Sequence, residues 1–318
     1  MRILFTGASS CTGLWFVKAL AARGHQIVMT FRRERDAYQG VRHLRVEQLC
    51  SHGSPVFDCR FGSRRFMELI GQEADWDLLC HHAAEVSDYK SPDFDISAAV
   101  RNNTLNVHGV LPALMAKRCR RIVLTGSVFE PNEGAGTGGL PAITAYGLSK
   151  AITAQIFTYY AQQHGASLGK FVIANCFGPY EQPRFTSYLV RSWFEGKTAT
   201  VDMPLYVRDN IHVSLLAEVY ADFAASLPAQ AGLAKLNPSG EVESAGALAS
   251  RFAQHLGPRL RLRCPIELRS QTEFDEPRVR INTDPVDADR LGWDEQRAWD
   301  ELAEYYRQTY APQVARSK

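Results

Sequence analysis

The sequence predicts an α/β protein, a parallel sheet wound on both faces by helices and followed by a smaller α/β lobe. Three features predict it. Short apolar runs alternate with helical patterns from Met1 to Asn175, the texture of strands buried on both faces and joined by helical crossovers. A glycine-bearing turn, Gly7-Ala-Ser-Ser-Cys-Thr-Gly13, stands directly between the first strand and the first helix. Beyond Asn175 the chain turns to loop-rich segments and shorter helices, and its 318 residues exceed the length at which a single core keeps growing.

The elements follow in order. Ile3–Thr6 is a strand, Leu14–Arg23 a helix ended by Gly24-His25, and Gln26–Phe31 a second strand. This is the opening βαβ unit of a dinucleotide-binding, Rossmann-type fold, in which phosphates sit at the helix N-terminus. The spacing is Gly-x-x-Ser-x-x-Gly, so Ser10 stands where the usual pattern has its middle glycine. Pro55–Asp58, Asp77–Ala84, Arg121–Ser127 and Lys170–Asn175 read as further strands. Asn102–Met115 reads as one helix that Pro112 kinks or interrupts. A Gly/Pro-rich loop from Phe129 to Ala145 borders the helix that begins at Tyr146. Later helices are expected at Tyr188–Glu195, Leu215–Ser226, Ala245–Leu256 and Trp299–Tyr310, with a Pro/Arg-rich tract from Pro258 to Arg280. The expected division is a dinucleotide-binding domain over 1–175 and a substrate lobe over 176–318, with the segment around 208–227 returning to the first domain.

Composition excludes several classes. A hydrophobic share of 45% with 22% charged residues is ordinary for a soluble globular chain. A formal charge of +2 argues against a nucleic-acid partner, which calls for a concentrated basic patch. No apolar run approaches the ~20 residues of a membrane span. The seven cysteines form no Cys-x-x-Cys pair and no metal-ligand spacing, so no metal is expected and buried thiols in a reducing compartment fit best. Met1 leads at once into a strand, with no signal peptide in view, so a cytoplasmic location is expected.

The chemistry concentrates between Arg121 and Lys150. Tyr146 and Lys150 lie four residues apart at a helix start and therefore share a face. An ammonium close to a phenol favours the phenolate, which lowers its pKa and suits it to proton transfer near neutral pH. Ser127, ending the preceding strand, is placed to give the same substrate oxygen a second hydrogen bond.

Taken together these residues resemble the extended short-chain dehydrogenase/reductases, in particular the nucleotide-sugar epimerase/dehydratase/reductase branch. The pieces run in the family's order over nearly the whole chain: Thr6-Gly7-x-x-Ser10-x-x-Gly13, Asp58, His81-His-Ala-Ala84, Asn106-Val-His-Gly109, Thr125-Gly-Ser127, Tyr146-x-x-x-Lys150, Asn175-Cys-Phe-Gly-Pro179, Arg208-Asp-Asn-Ile-His-Val213, Asn237-Pro-Ser-Gly240 and Leu291-Gly-Trp293. The resemblance implies that Tyr146 is the acid/base residue, that Lys150 also holds the nicotinamide ribose, and that Ser127 binds the reacting oxygen. It places Gly7, Ser10, Cys11, Thr12 and Gly13 around the cofactor pyrophosphate, Asp58 and Cys59 by the adenine, and Ala83 and Ala84 along the cofactor's middle. It puts Asn175 and Arg208 at the substrate diphosphate, with Arg184 and Tyr180 on a loop near the sugar. A homodimer is expected by the same resemblance.

Two departures narrow the reaction. The Asp-Glu pair that sugar 4,6-dehydratases carry after the serine/threonine is missing from Thr125-Gly-Ser-Val-Phe-Glu130, and so is the cysteine of the fucose-type epimerase-reductases. At the end of the second strand, where NAD-specific relatives place an acid, stands Phe31, followed by Arg32 and Arg33. Two guanidiniums there suit a 2′-phosphate. The expected cofactor is therefore NADP(H), with Arg32 the main contact and Arg33 the second, and NAD(H) is the alternative. The expected function is reduction of a nucleotide-activated 4-keto(-6-deoxy) sugar. An NAD-dependent nucleotide-sugar 4-epimerase is the alternative, and a small-carbonyl reductase or a non-catalytic dinucleotide sensor lies beyond it.

Overall fold

Residues 1–72 and 75–316 are described by the computed structural model. Its elements run β1 (Arg2–Thr6), α1 (Cys11–Ala22), β2 (Gln26–Thr30), α2 (Gly40–Leu49), β3 (Ser54–Val56), α3 (Arg64–Gln72), β4 (Leu78–His81), α4 (Ile96–Asn103), α5 (Val107–Ala116) and β5 (Arg121–Ser127). Then come β6 (Ala135–Gly136), α6 (Ala145–Gln163), β7 (Ser167–Ile173), β8 (Asn175–Phe177), α7 (Phe185–Phe194), β9 (Ala199–Val201), β10 (Val207–His212), α8 (Val213–Ser226) and β11 (Gly232–Leu236). The chain continues through β12 (Pro238–Ser239), β13 (Glu241–Ser244), α9 (Ala245–Leu260), β14 (Ile266–Leu268), β15 (Val279–Ile281), β16 (Asp284–Pro285) and α10 (Glu295–Arg316). Contacts divide these into two units. The first comprises 1–133, 140–173 and 217–238; the second comprises 134–139, 174–216 and the chain from 239 onward.

In the first unit a seven-stranded sheet runs β11-β7-β5-β4-β1-β2-β3, and each of its pairings is parallel. Strands β1, β4 and β5 are buried along almost their whole length, as apolar runs covered on both faces must be. Side chains such as Leu4, Leu79, Val110, Leu114, Ile122, Leu124 and Phe157 interlock into one core. The strand order reverses between β1 and β4, where Thr6 is the register partner of His81. Outside the carboxyl ends of strands at such a reversal is where doubly wound sheets bind their ligands.

The helix expected over Asn102–Met115 is broken, but not at Pro112, which lies inside α5. The break falls between α4 and α5, where Asn106 takes a left-handed backbone (φ 51°), a conformation in which no right-handed helix continues.

The second unit carries a mixed sheet ordered β13-β10-β15-β6, with β8 paired to β10, and a separate two-stranded parallel pair, β9 with β14. The loop from Phe129 to Ala145 contributes β6 to this sheet, antiparallel to β15. A distinct aromatic core packs Phe177, Leu189, Trp193, Phe252, Trp299, Leu302 and Tyr306. The Pro/Arg-rich tract is ordered here as the end of α9, β14 and the entry to β15. Among the described residues no helix is long and apolar enough to cross a membrane.

Candidate active site

The glycine turn is shaped by close approach. Gly7 has φ +81°, and a Cβ there would lie 2.6 Å from the Ala83 nitrogen, so any side chain would push the loop off the end of β4. Ser10 caps α1 by accepting the Gly13 N–H at 2.9 Å. Cys11, Thr12 and Gly13 then form the first turn of α1, whose N-terminal amides and positive helix-dipole end suit an anion. Ala83 donates its N–H to Thr6 Oγ1 at 3.1 Å, and Ala83 and Ala84 are half-buried beside it. The loop therefore fits the pyrophosphate of a dinucleotide.

At the end of β2, Phe31 turns inward and stacks on Phe57, with centroids 4.8 Å apart. Its carbonyl accepts the N–H of buried Cys59 at 2.8 Å, while Asp58, in a left-handed backbone, donates its N–H to the Arg33 carbonyl. Arg32 and Arg33 are both exposed. The Arg32 guanidinium is engaged by Glu85 at 2.9 Å. Burial works to raise the Glu85 carboxyl, but hydrogen bonds from Ser87 and Arg32, with the arginine's charge, outweigh it and hold the pKa at about 2. A 2′-phosphate at Arg32 has this carboxylate as its competitor.

The three residues expected to do chemistry all belong to the first unit. Helix α6 is capped by Thr144, which accepts the Gly147 N–H at 3.1 Å. Gly147 lets the helix start press against the turn after β5, since a Cβ there would overlap the Phe129 carbonyl oxygen. In that turn Ser127 Oγ accepts the Phe129 N–H at 3.2 Å. Tyr146, half-buried, stands edge-on to Tyr89 and Phe94. One turn later Lys150 is buried, and its ammonium donates to the Thr125 carbonyl. Burial, with some help from the charge of Lys170, lowers the Lys150 pKa to about 8 against the opposing pull of Glu130.

The expected direction of the tyrosine shift is corrected here. Burial first, and then the negative charge of Glu130, raise the Tyr146 pKa rather than lower it. The phenol is held protonated, because the Lys150 ammonium is directed to the Thr125 carbonyl and a carboxylate lies within electrostatic reach.

That carboxylate belongs to a cluster the sequence reading missed. Glu130 is fully buried; its Oε1 accepts the Ser127 N–H at 2.8 Å and its Oε2 the Lys170 ammonium at 2.5 Å. Lys170 also reaches Glu133 at 2.7 Å, and Glu133 accepts from Lys235 and Asn237 at 3.2 Å each. Gly126 makes room for this, since a Cβ there would come within 2.7 Å of Lys170 Cε. The available signal was a lysine inside an otherwise apolar strand, facing an acid three residues after Ser127. His81 and His82, at the end of β4, are buried and hydrogen-bonded. His81 meets Thr6 Oγ1 and the Asn103 carbonyl at 3.0 Å each. His82 meets Thr125, Ser10 and Thr12.

The second unit holds the remaining candidates. Arg184 and Asn175 come together: an Arg184 Nη2 donates to Asn175 Oδ1 at 3.0 Å, and Nη1 to the Cys176 carbonyl at 2.8 Å. Asn175 in turn donates to Asn210 Oδ1 on β10. Tyr180, in a left-handed backbone, packs on Tyr305. Arg208 is engaged by Glu276 at 2.9 Å and by the carbonyls of Val207, Pro277 and Arg278. Glu276, its partner, was not foreseen. Among the described residues no group of three or more His, Cys, Asp or Glu side chains is arranged to hold a metal ion.

Comparison with known proteins gives a consistent picture. A UDP-glucose 4-epimerase from Thermotoga maritima, solved with UDP-glucose, superposes with a TM-score of 0.71 at 17% identity, covering 97% of this chain and 99% of that one. A Thermus thermophilus UDP-glucose 4-epimerase in complex with NAD gives 0.70 at 18% identity, covering 96% and 99%. A UDP-glucuronic acid 4-epimerase variant from Bacillus cereus, in complex with a fluorinated substrate analogue and NAD, gives 0.75 at 15% identity, covering 98% and 100%. At these identities the likeness shows the fold, a Rossmann-type α/β architecture with a large parallel sheet. A search of curated protein sequences finds no match. Residues 3–228 match the profile of the NAD dependent epimerase/dehydratase family. With that match over more than half its length, the chain belongs to the NAD dependent epimerase/dehydratase family.

Proposed function

We propose that this chain is an NADP(H)-dependent reductase of a nucleotide-activated 4-keto(-6-deoxy) sugar. The observation that carries the reading is Tyr146, held protonated by burial and by Glu130, one helical turn from Lys150 and against the turn that carries Ser127. A phenol that keeps its proton is a donor, and a donor is what a carbonyl oxygen needs as it becomes a hydroxyl. The nicotinamide, when bound, supplies the hydride. Ser127 gives the same oxygen a hydrogen bond, and the buried Lys150 charge favours the developing oxyanion. Arg33, exposed beyond β2, supports the 2′-phosphate, and Arg32 joins it once released from Glu85. Asn175, Arg184 and Arg208 are proposed for the substrate's diphosphate and sugar. Arg208 serves there only if the diphosphate displaces Glu276, whose side chain is 45% exposed.

A second reading is an NAD-retaining nucleotide-sugar 4-epimerase. The family match and the solved neighbours with NAD support it, as does the ion pair that occupies Arg32. Titrating NADPH and NADH onto the purified protein separates the two. The first reading expects tighter NADPH binding. Tighter NADH, or NAD carried through purification, overturns it in favour of the second.

A further inference from the structure

His82 sits between the glycine turn and the strand that ends at Ser127. Its Nε2 lies 2.9 Å from Ser10 Oγ and 3.0 Å from Thr12 Oγ1. On the other side of the ring, Nδ1 lies 2.9 Å from Thr125 Oγ1. Thr125 also offers its carbonyl to the Lys150 ammonium. The ring is buried and flanked by Phe5 and Phe16. Burial, then the charge of Lys150, push its pKa down to about 3, so it is neutral.

A neutral imidazole has one N–H and one lone pair. Ser10 Oγ already accepts the Gly13 N–H, which leaves its own hydrogen to donate. In the tautomer that uses this hydrogen, the lone pair is on Nε2 and the N–H on Nδ1, which donates to Thr125 Oγ1. One lone pair takes one hydroxyl at a time, yet two hydroxyls stand within reach of it. With Ser10 satisfying Nε2, the Thr12 hydroxyl at the start of α1 has its hydrogen to give to another acceptor.

We propose that His82 is a positioning residue that couples the dinucleotide-phosphate turn to Thr125, and through the Thr125 carbonyl to Lys150. Occupancy of the turn by a pyrophosphate is then felt at the strand that holds Lys150, without contact between the cofactor and Thr125. The inference rests on the reading of the glycine turn as a dinucleotide site.

The test is a double-mutant cycle on cofactor affinity, read by nicotinamide fluorescence with NADPH and NADH in parallel. Thr125→Val keeps the backbone carbonyl for Lys150 and removes only the hydroxyl that meets His82. It is expected to weaken binding about fivefold in the native background and less than twofold in His82→Leu. Equal losses in both backgrounds, or no loss at Thr125→Val, overturn the coupling. ¹⁵N spectra of histidine-labelled native protein give a second readout that requires no substitution. Nδ1 is expected protonated and Nε2 accepting, with the Nε2 signal shifting as NADPH or NADH is added. A His82 signal that ignores both cofactors overturns the proposal even if His82→Leu fails to fold. If neither cofactor binds the native protein, the dinucleotide reading itself falls, an outcome distinct from additive losses.

Discussion

Replacing Lys170 by methionine tests the buried cluster beneath Ser127. The substitution keeps an unbranched side chain of similar length and removes the ammonium from Glu130 and Glu133, whose side chains are 0% and 7% exposed. Removing one partner of a buried ion pair costs about 3–5 kcal/mol, because the remaining charge keeps its desolvation penalty and loses its compensation. Glu133 retains Lys235 and Asn237, so the expected loss in unfolding free energy at pH 7 is about 3 kcal/mol, the lower end of that range. The sign of the pH dependence follows. Burial works to raise the Glu133 pKa, but Lys170 and Lys235 outweigh it and lower it below the ordinary value. The stability this adds is present above the unfolded carboxylate pKa and is lost as pH falls through the folded one. In Lys170→Met that contribution shrinks, and protonating Glu133 becomes less costly. The deficit against the native protein should therefore be largest at neutral pH and narrow toward pH ~4, where carboxyls begin to protonate. Urea unfolding followed by tryptophan fluorescence at several pH values measures it. A loss under about 1 kcal/mol, as for an exposed pair, or a deficit independent of pH, would refute the reasoning.

Further outcomes follow from the same geometry. Tyr146→Phe should abolish turnover of a confirmed substrate while cofactor affinity, read by fluorescence titration, stays within a few-fold; unchanged turnover would remove Tyr146 from the acid/base role. Because the Lys150 pKa is lowered to about 8, chiefly by burial, its ammonium is lost as pH rises through that value. Activity should decline there, and a pH–rate profile that stays flat well above it would exclude a charged Lys150 from the rate. Arg208→Ala should raise KM for a nucleotide-sugar by on the order of 10–100-fold with less effect on kcat, whereas Glu276→Gln should lower KM by freeing the guanidinium. If both leave KM unchanged in steady-state kinetics, the substrate carries no diphosphate at this position. Gly126→Ala, which would bring a Cβ within 2.7 Å of Lys170 Cε and 3.0 Å of Glu130 Oε1, should lower the thermal midpoint and disturb the same pair; a midpoint equal to the native one would show that the cluster relaxes freely.

Local pattern was enough for most of the first unit. The central parallel strands are apolar runs between turn residues, so Arg121–Ser127 was legible to the residue and the Gly7–Gly13 turn announced its own helix, whereas the half-exposed edge strand β11, with Lys235 in it, was not legible. Tyr146 and Lys150 were legible for the same reason, since a spacing of four on a helix needs no knowledge of the rest of the fold. What a single segment could not reveal is what meets it across the sheet. Asn106 broke a helix that looked continuous, through a backbone angle that residue type alone does not require. The short β6 was hidden in a Gly/Pro-rich loop because the strand it pairs with, β15, lies well over a hundred residues away. Arg32 and Arg208 read as free guanidiniums until the fold brought Glu85 and Glu276 to them. Electrostatics depended on tertiary structure most of all. The Tyr146 phenol was expected to ionise more easily beside Lys150, and its pKa moves the other way, because burial and the charge of Glu130 act on it while Lys150 points to Thr125. A pKa is set by solvent exclusion and by every charge within several ångströms, and for Tyr146 those neighbours, Glu130 and Tyr89, come from the segments that follow β5 and β4, which only the folded sheet places beside the start of α6.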